Sequence, residues 1–276
     1  MSRAVPHTLR QAADAFVRYR IHVSVLTFFI VLTVYVDAAR RVSLEGVLVA
    51  LSFALVAAYA YLINKVTDAA EDKVNVHAGA LEERKRLPVL IAALACLLLP
   101  LAYLVPLANP GVLGIYTFIA VLGFLYSFPV SILGVTFRLK DIFALKTAFS
   151  SLSWSLLVVA VFCLFTSAWS PFWTWMLVLI FSVTAPIEIV WDIRDVEGDA
   201  RHGIHTIPNT LGVAPARAIA LVLLALAAFA GYELDLSIYS SIALLASLAF
   251  VIAASPRRGK WFYHSIVFVW ILALAF

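Results

Sequence analysis

The chain has 276 residues, of which 64% are hydrophobic and 13% are charged, and its formal net charge is +4. Soluble domains of this size are about half apolar and about a quarter charged, so the composition excludes an ordinary soluble globular protein. The apolar residues form stretches of about 20 along the whole length, which is typical of a polytopic helical membrane protein with one domain, residues 1–276. A transmembrane barrel would need short alternating segments instead, and these are absent from the sequence.

The hydropathy pattern predicts an all-α fold with nine membrane-spanning helices. In chain order the predicted spans are 21–36, 45–63, 88–107, 112–130, 143–166, 171–190, 213–232, 237–254 and 261–276. Cys96 and Cys163 both lie in apolar stretches, so we expect two packing residues rather than a disulfide or a metal pair.

Lysine and arginine are distributed unequally between the two sides of this predicted bundle. The amino-terminal segment and the connections on its side carry 18 of them, whereas the other side carries only Arg40 and Arg41. Because cytoplasmic loops are enriched in these residues, the pattern predicts a cytoplasmic amino terminus. The long charged connections 64–87, 131–142 and 192–212 lie on the same side, so we expect cytoplasmic loops that cap the bundle and carry the function.

A first acidic stripe directly follows the second predicted span. In the segment NKVTDAAEDKVN, Asn64, Asp68 and Asp72 repeat every four residues, and no glycine or proline interrupts them. On a helix these three side chains share one face. The neighbouring carboxylates repel one another, which indicates a divalent cation that supplies the missing positive charge.

A second acidic stripe continues the sixth predicted span. Glu188, Asp192, Asp195 and Asp199 again lie on one helical face, and Glu188 is the deepest of them. A carboxylate inside the membrane costs about 3 kcal/mol unless it faces a polar cavity. Glu188 therefore either lines a cavity, where it could orient a substrate or take its proton, or pairs with a neighbouring polar group.

Oxygen ligands without histidine or cysteine at ligand spacing favour magnesium over zinc. Two stripes that face each other across a cavity would hold magnesium ions against one diphosphate, and nearby cations would neutralise its oxygens. The candidate cations are Arg20, Arg86, Arg138, Lys140 and Lys146. A single acidic helix end at a membrane surface can also be a solvated cap, but two stripes on one side favour the metal site.

At these residues the sequence resembles the UbiA-type intramembrane prenyltransferase superfamily. The family's two acidic signatures correspond to Asn64, Asp68 and Asp72 and to Asp192, Asp195 and Asp199. YSFP at 126–129 with RLKDIFALKT at 138–147 is similar to the family's tyrosine-serine turn and basic run, and RIHV at 20–23 is similar to its first-helix arginine segment. Together these motifs cover most of the chain in the family's order.

The resemblance implies nine transmembrane helices around a central cavity and the transfer of an isoprenyl group from an allylic isoprenyl diphosphate to a lipophilic acceptor. Magnesium would be the cofactor and Asp68, Asp72, Asp192, Asp195 and Asp199 its ligands. The diphosphate would contact Arg20, Asn64, Arg86, Tyr126 and Ser127, while Arg138, Lys140 and Lys146 would stabilise the leaving group. Membrane lipid is the expected surrounding, and no nucleic acid partner is expected.

Two further functions remain open beside prenyl transfer to a quinone precursor or a lipid alcohol. The family's proline-arginine-proline run is replaced here by NVHAGALEERKRLP, which leaves the acceptor undefined. A membrane terpene cyclase would use the same diphosphate site and quench the cation with its own double bonds. A cation transporter is less favoured, because its acids would lie near the membrane midplane rather than at helix ends.

Overall fold

Helices make up most of the chain, and the computed structural model describes residues 7–68, 81–132, 135–165 and 168–276. The helices are α1 (His7–Arg18), α2 (Ile21–Ala39), α3 (Leu44–Thr67), α4 (Arg86–Leu98), α5 (Leu101–Leu104), α6 (Pro110–Ser127), α7 (Leu145–Phe162), α8 (Pro171–Arg201), α9 (Ile207–Leu211), α10 (Val213–Glu233), α11 (Ile238–Ala253) and α12 (Lys260–Ala275). Two short 3-10 helices, Glu83–Lys85 and Leu139–Asp141, precede α4 and α7.

All nine predicted spans overlap helices, but only seven helices of the described chain are long and apolar enough to cross a membrane. These seven are Ile21–Ala39, Leu44–Thr67, Glu83–Leu104, Pro110–Ser127, Leu145–Phe162, Pro171–Arg201 and Val213–Glu233. The third of them, Glu83–Leu104, combines the first 3-10 helix with α4 and α5. The apolar helices α11 and α12 have 16 residues each. At about 1.5 Å per residue they reach about 24 Å, against a hydrocarbon core of about 30 Å. The eighth and ninth spans therefore stay predictions.

The all-α fold class is confirmed, and one local departure from the prediction lies at the end of the fourth span. Strands β1 (Val130–Ile132) and β2 (Val135–Phe137) form an antiparallel pair, whereas the sequence predicted a span to residue 130 and then a loop. Helix α6 ends at Ser127, close to Pro129, because the residue before a proline is disfavoured in the helical conformation. Beyond it, β-branched residues favour the extended strands.

Side-chain caps explain where several helices begin. The side chain of Asn109 accepts a hydrogen bond from the backbone N–H of Val112 at 3.1 Å, with Pro110 at the first position of α6. Ser43 caps α3 in the same way through the N–H of Gly46. Both caps satisfy backbone donors that a helix start would otherwise leave unpaired.

The helices pack side by side in a closed ring. Contacts run from α2 to α3, then through α6, α7, α8, α10 and α11 to α12, which returns to α2. Helix α8 has 31 residues and is the most buried of the seven long helices, and α7 and α10 flank it. Most side chains of α8 therefore face other helices.

The two acidic stripes differ in local structure. Helix α8 continues through Arg201, as the spacing of the second stripe predicts. Helix α3 ends at Thr67, so Asp68 lies at its end and not within a continuing helix. Asp72 lies outside the described residues.

Gly46 provides the first test of the packing. A Cβ atom there would overlap the ring of the buried Tyr35, whose hydroxyl hydrogen-bonds the capping Ser43 at 2.6 Å. Overpacking of this kind costs about 1–3 kcal/mol, so Gly46→Ala should lower the thermal unfolding midpoint in detergent. A Cβ atom added at Gly114 would meet no neighbouring side chain or helix within 4 Å, and Gly114→Ala should hold or raise the midpoint because alanine favours helices. Equal midpoints for the two variants would contradict this packing.

Candidate active site

A cavity of about 210 Å³ lies between α2, α3, α6, α7 and α8. Its wall follows α7 from Lys146, near the start of the helix, to Leu157, three turns further along. Phe53 and Ile119 add apolar surface from α3 and α6. The cavity therefore joins a charged region at the helix ends to an apolar region between the helices.

The second acidic stripe lines this cavity from a single helix. Glu188, Asp192, Asp195 and Asp199 all contribute to the wall, as their shared helical face predicts. Asp192 and Asp199 are buried, whereas Glu188 and Asp195 are half-buried. Buried carboxylates need partners, and these partners separate the four acids into different roles.

Lys146 holds two of these carboxylates. Its Nζ lies 2.8 Å from Asp192 Oδ1 and 2.8 Å from Asp199 Oδ2, and the three side chains are at most 17% exposed. Thr147 Oγ1 donates a further hydrogen bond to Asp192 at 3.0 Å. A single ammonium group thus forms ion pairs with two carboxylates at the charged end of the cavity.

Asp195 is bound differently, although the sequence places it on the same stripe. The neighbouring Arg194 donates from Nε to Oδ1 at 2.7 Å and from Nη2 to Oδ2 at 2.5 Å. The guanidinium of Arg194 also lies over the Tyr263 ring, 5.6 Å from its centroid. Both oxygens of Asp195 are therefore engaged by a buried arginine, and its role as a metal ligand stays a prediction.

The first stripe meets the cavity from the opposite wall. Lys140 Nζ lies 2.5 Å from Asp68 Oδ1, and Lys140 is almost fully buried. Asn64 also lines the cavity and accepts a hydrogen bond from Ser127 Oγ at 3.2 Å. Ser127 itself is buried behind Asn64 and does not line the cavity, so its predicted contact with the diphosphate would be indirect.

Arg20 and Tyr126, two predicted diphosphate binders, both line the cavity. The Arg20 guanidinium lies 4.4 Å from the ring centroid of Trp191 and 5.6 Å from that of Tyr61. Its backbone has φ of +57°, a left-handed conformation that costs about 1–2 kcal/mol for a residue other than glycine. Cation–π contacts of about 0.5–2 kcal/mol offset that strain and fix the guanidinium at the cavity wall.

Two predicted cations do not line the cavity. Arg86 is exposed, and its Nε lies 3.1 Å from Glu83 Oε2. Arg138 Nη2 lies 2.8 Å from Asp141 Oδ1 at the start of the second 3-10 helix. Their contacts with a diphosphate stay predictions.

Ser150 and Trp191 are the contributors that the sequence did not single out. Ser150 Oγ donates a hydrogen bond to Glu188 Oε1 at 2.6 Å, and the Arg20 guanidinium packs over the ring of Trp191. The signal for Ser150 was its spacing of four residues from Lys146, which puts both on one face of a helix. No such spacing relates Trp191 to Arg20, because that contact joins two distant helices.

The donor set fits magnesium in its chemistry. No three acidic, histidine or cysteine side chains of the described residues already form a metal-ligand group. Instead Asp192 and Asp199 converge on one ammonium, and Asp68 binds another across the cavity. Hard divalent cations prefer carboxylate and amide oxygens as ligands, and the site supplies both.

Comparison with known proteins identifies a matching sequence family and several similar solved structures. A sequence model of the UbiA prenyltransferase family matches residues 24–275. A UbiA homologue from Archaeoglobus fulgidus bound to DMAPP and Mg²⁺ is 17% identical, with 94% of this chain and 96% of that chain covered and a TM-score of 0.61. An apo UbiA homologue from Aeropyrum pernix K1 is 16% identical, with coverages of 90% and 96% and a TM-score of 0.62.

A structure of digeranylgeranylglyceryl phosphate synthase is also similar, with 17% identity, coverages of 96% and 97% and a TM-score of 0.58. No curated protein sequence matches the chain significantly. At these identities the structural likenesses establish the fold alone.

Lys146 tests the charge balance of the site without a measurement of activity. Lys146→Met leaves Asp192 and Asp199 without their shared ammonium, which should lower the free energy of unfolding by about 3–5 kcal/mol. Thermal unfolding should also show that Mg²⁺ stabilises this variant more than the unchanged protein, because the ion supplies the lost charge. Arg201→Met is the matched control, since it breaks only an exposed pair with Glu197. Equal midpoints for both variants, with or without Mg²⁺, would contradict the proposed balance.

Proposed function

The chain belongs to the UbiA prenyltransferase family, and on that premise we propose that it is a magnesium-dependent intramembrane prenyltransferase. It transfers the isoprenyl group of an allylic isoprenyl diphosphate to a lipophilic acceptor and releases diphosphate. The acceptor is a quinone precursor or a lipid alcohol. The amino terminus and the charged helix ends lie on the cytoplasmic side, as the lysine and arginine distribution favours.

This proposal rests on one observation, a cavity that is charged at one end and apolar at the other. Carboxylates and lysines from opposite walls meet at its charged end, where Lys140 binds Asp68 and Lys146 binds Asp192 and Asp199. Apolar and aromatic side chains form the other end. A molecule with a highly charged head and a hydrocarbon tail matches both ends, and an isoprenyl diphosphate is such a molecule.

Magnesium, held by Asp68, Asp192 and Asp199, would supply positive charge to the diphosphate oxygens. The Archaeoglobus fulgidus homologue bound to DMAPP and Mg²⁺ supports magnesium as the cofactor. Asp72 and Asp195 remain further proposed ligands.

The side chains of this site have a clear task in the reaction. The bond between C1 of the isoprenyl group and the diphosphate oxygen breaks, and both electrons leave with the diphosphate. Lys140, Lys146 and Arg20 stabilise the negative charge that grows on the leaving group, because fixed cations in a low-dielectric site act without reorganisation. The apolar walls keep water away from the allylic cation.

A terpene cyclase remains the second candidate because aromatic side chains line the cavity. Phe149, Trp154 and Tyr61 lie along the wall and could stabilise a cation that moves along its own chain. The two functions differ in product. A cyclase forms a cyclic hydrocarbon without an acceptor, whereas a transferase forms product only when an acceptor is present.

Diphosphate release from detergent-purified protein tests the proposal. Geranyl, farnesyl and geranylgeranyl diphosphates are supplied with Mg²⁺, with or without a membrane-lipid or quinone-precursor extract. Asp192→Asn and Asp199→Asn should each lower the release rate by about 10²–10³-fold, since each removes a ligand of the magnesium ion whose charge would stabilise the leaving group. Removal of Mg²⁺ with a chelator should stop release in every variant.

Glu197→Gln is the matched control for these variants. Glu197 lies on the same helix between the two aspartates, but its side chain is exposed and pairs with Arg201. It should release diphosphate at the unchanged rate. A cyclic hydrocarbon formed without acceptor would replace the transferase by the cyclase, and ion flux without diphosphate release would overturn both.

A further inference from the structure

A second polar layer lies in the cavity one helical turn below the charged layer. On α8, Glu188 precedes Asp192 by four residues, and on α7, Ser150 follows Lys146 by four. Because four residues advance a helix by about 6 Å, the pair Ser150–Glu188 lies directly below the pair Lys146–Asp192. The contacts repeat in both layers, with 2.8 Å between Lys146 Nζ and Asp192 Oδ1 and 2.6 Å between Ser150 Oγ and Glu188 Oε1.

Glu188 differs from the aspartates above it in its partners. Among the residues that the structure describes, Ser150 alone donates a hydrogen bond to its carboxylate. Arg20, Lys146 and Arg194 act on it electrostatically, but none of them forms an ion pair with it. The side chain is half-buried and faces the cavity. A carboxylate inside an apolar helical bundle is costly and is retained where it has a function, so the pair is poorly explained as packing alone.

The position of Glu188 relates it to the reacting carbon of the proposed substrate. A diphosphate held beside Lys146 and Lys140 directs its isoprenyl chain toward the apolar end of the cavity. C1 then lies on the inner side of the charged layer, at the level where Glu188 faces the cavity. An acceptor that attacks C1 must bring its nucleophilic atom to this level.

Resting on the proposed function, we propose that Glu188 accepts the proton of the attacking acceptor and that Ser150 positions its carboxylate. In this proposal the acceptor is a hydroxyl compound, either a lipid alcohol or a phenol, that attacks through oxygen, since the proton to be removed then lies on the attacking atom. The acceptor oxygen bonds to C1 as the bond from C1 to the diphosphate oxygen breaks, with its electrons leaving on the diphosphate. The hydroxyl proton passes to Glu188, which becomes a carboxylic acid and loses that proton after the product leaves.

The experiment separates ionisation from proton transfer. Geranyl diphosphate carrying ¹⁸O in the oxygen bonded to C1 is incubated with Mg²⁺ and the full-length protein. Reversible ionisation moves the label into non-bridging oxygens whether or not an acceptor is present. A long-chain 1-O-alkylglycerol, an alkyl hydroquinone and the dimethyl ethers of both, which have no free hydroxyl, are the acceptor probes, so that the hydroxyl sources are distinguished.

Glu188→Gln keeps a hydrogen-bond acceptor for Ser150 but cannot take a proton at that level. Label exchange should continue in this variant, while transfer to the hydroxyl probe falls by about 10²–10⁴-fold, the usual contribution of a general base. Neither methyl ether should be prenylated by the unchanged protein. A purely structural role predicts the same transfer rate for Glu188→Gln as for the unchanged protein.

Ser155 supplies a matched control for Ser150. Both serines lie on α7, but Ser155 does not line the cavity, and its hydroxyl donates to the backbone oxygen of Ser151 at 3.0 Å. Ser150→Ala should lower transfer by about 10-fold through a poorly oriented carboxylate. Ser155→Ala should transfer at the unchanged rate.

Each outcome decides between the two proposals. If the unchanged protein neither exchanges label nor transfers geranyl groups with Mg²⁺, the proposed function fails. If it transfers and Glu188→Gln does so equally well, only the proton-acceptor role is overturned. If Glu188→Gln loses exchange together with transfer, Glu188 acts in ionisation and the role is again overturned. If that variant does not fold, equal rates for Ser150→Ala and Ser155→Ala reject the role.

Discussion

The shared ammonium of Lys146 is the constraint on which the site depends. Asp192 and Asp199 are both buried at the end of α8, and two carboxylates without a cation could not remain charged there. Lys146 meets both at 2.8 Å, so the rotation and the height of α7 relative to α8 are fixed at this point. The same alignment places Ser150 against Glu188 one turn below. The charged end, the inner polar layer and the apolar end of the cavity thus follow from one contact between two helices.

Sequence spacing predicted what is local to one helix, and it did so well. The apolar periods located the helices of all nine predicted spans, and the spacing of the second stripe predicted that Glu188, Asp192 and Asp199 face one cavity. It predicted the partners less well, because pairing across helices depends on how they rotate and pack. The stripe pattern predicts the same role for Asp195 as for its neighbours, but the adjacent Arg194 donates hydrogen bonds to both of its carboxylate oxygens.

Departures from the predicted elements also have local causes that hydropathy does not register. The fourth span and the strands after it are similarly apolar, and only Pro129 and the β-branched residues beyond it separate them. Arg86 was a candidate for the diphosphate by its charge and by the family resemblance, and in this structure it pairs at the surface with Glu83, three residues before it. Charge and hydropathy identify which residue types are available, whereas the nearest opposite charge decides where each one points.

The charge balance of the site links substrate and metal in the proposed reaction. The carboxylates of Asp68, Asp192 and Asp199 engage the ammonium groups of Lys140 and Lys146. A diphosphate needs the positive charge of these same two lysines, and that charge is already balanced by the aspartates. The lysines can turn to the diphosphate only when another cation balances the aspartates. Magnesium and diphosphate should therefore bind cooperatively, each with higher affinity in the presence of the other, because each removes the electrostatic cost of the other's binding.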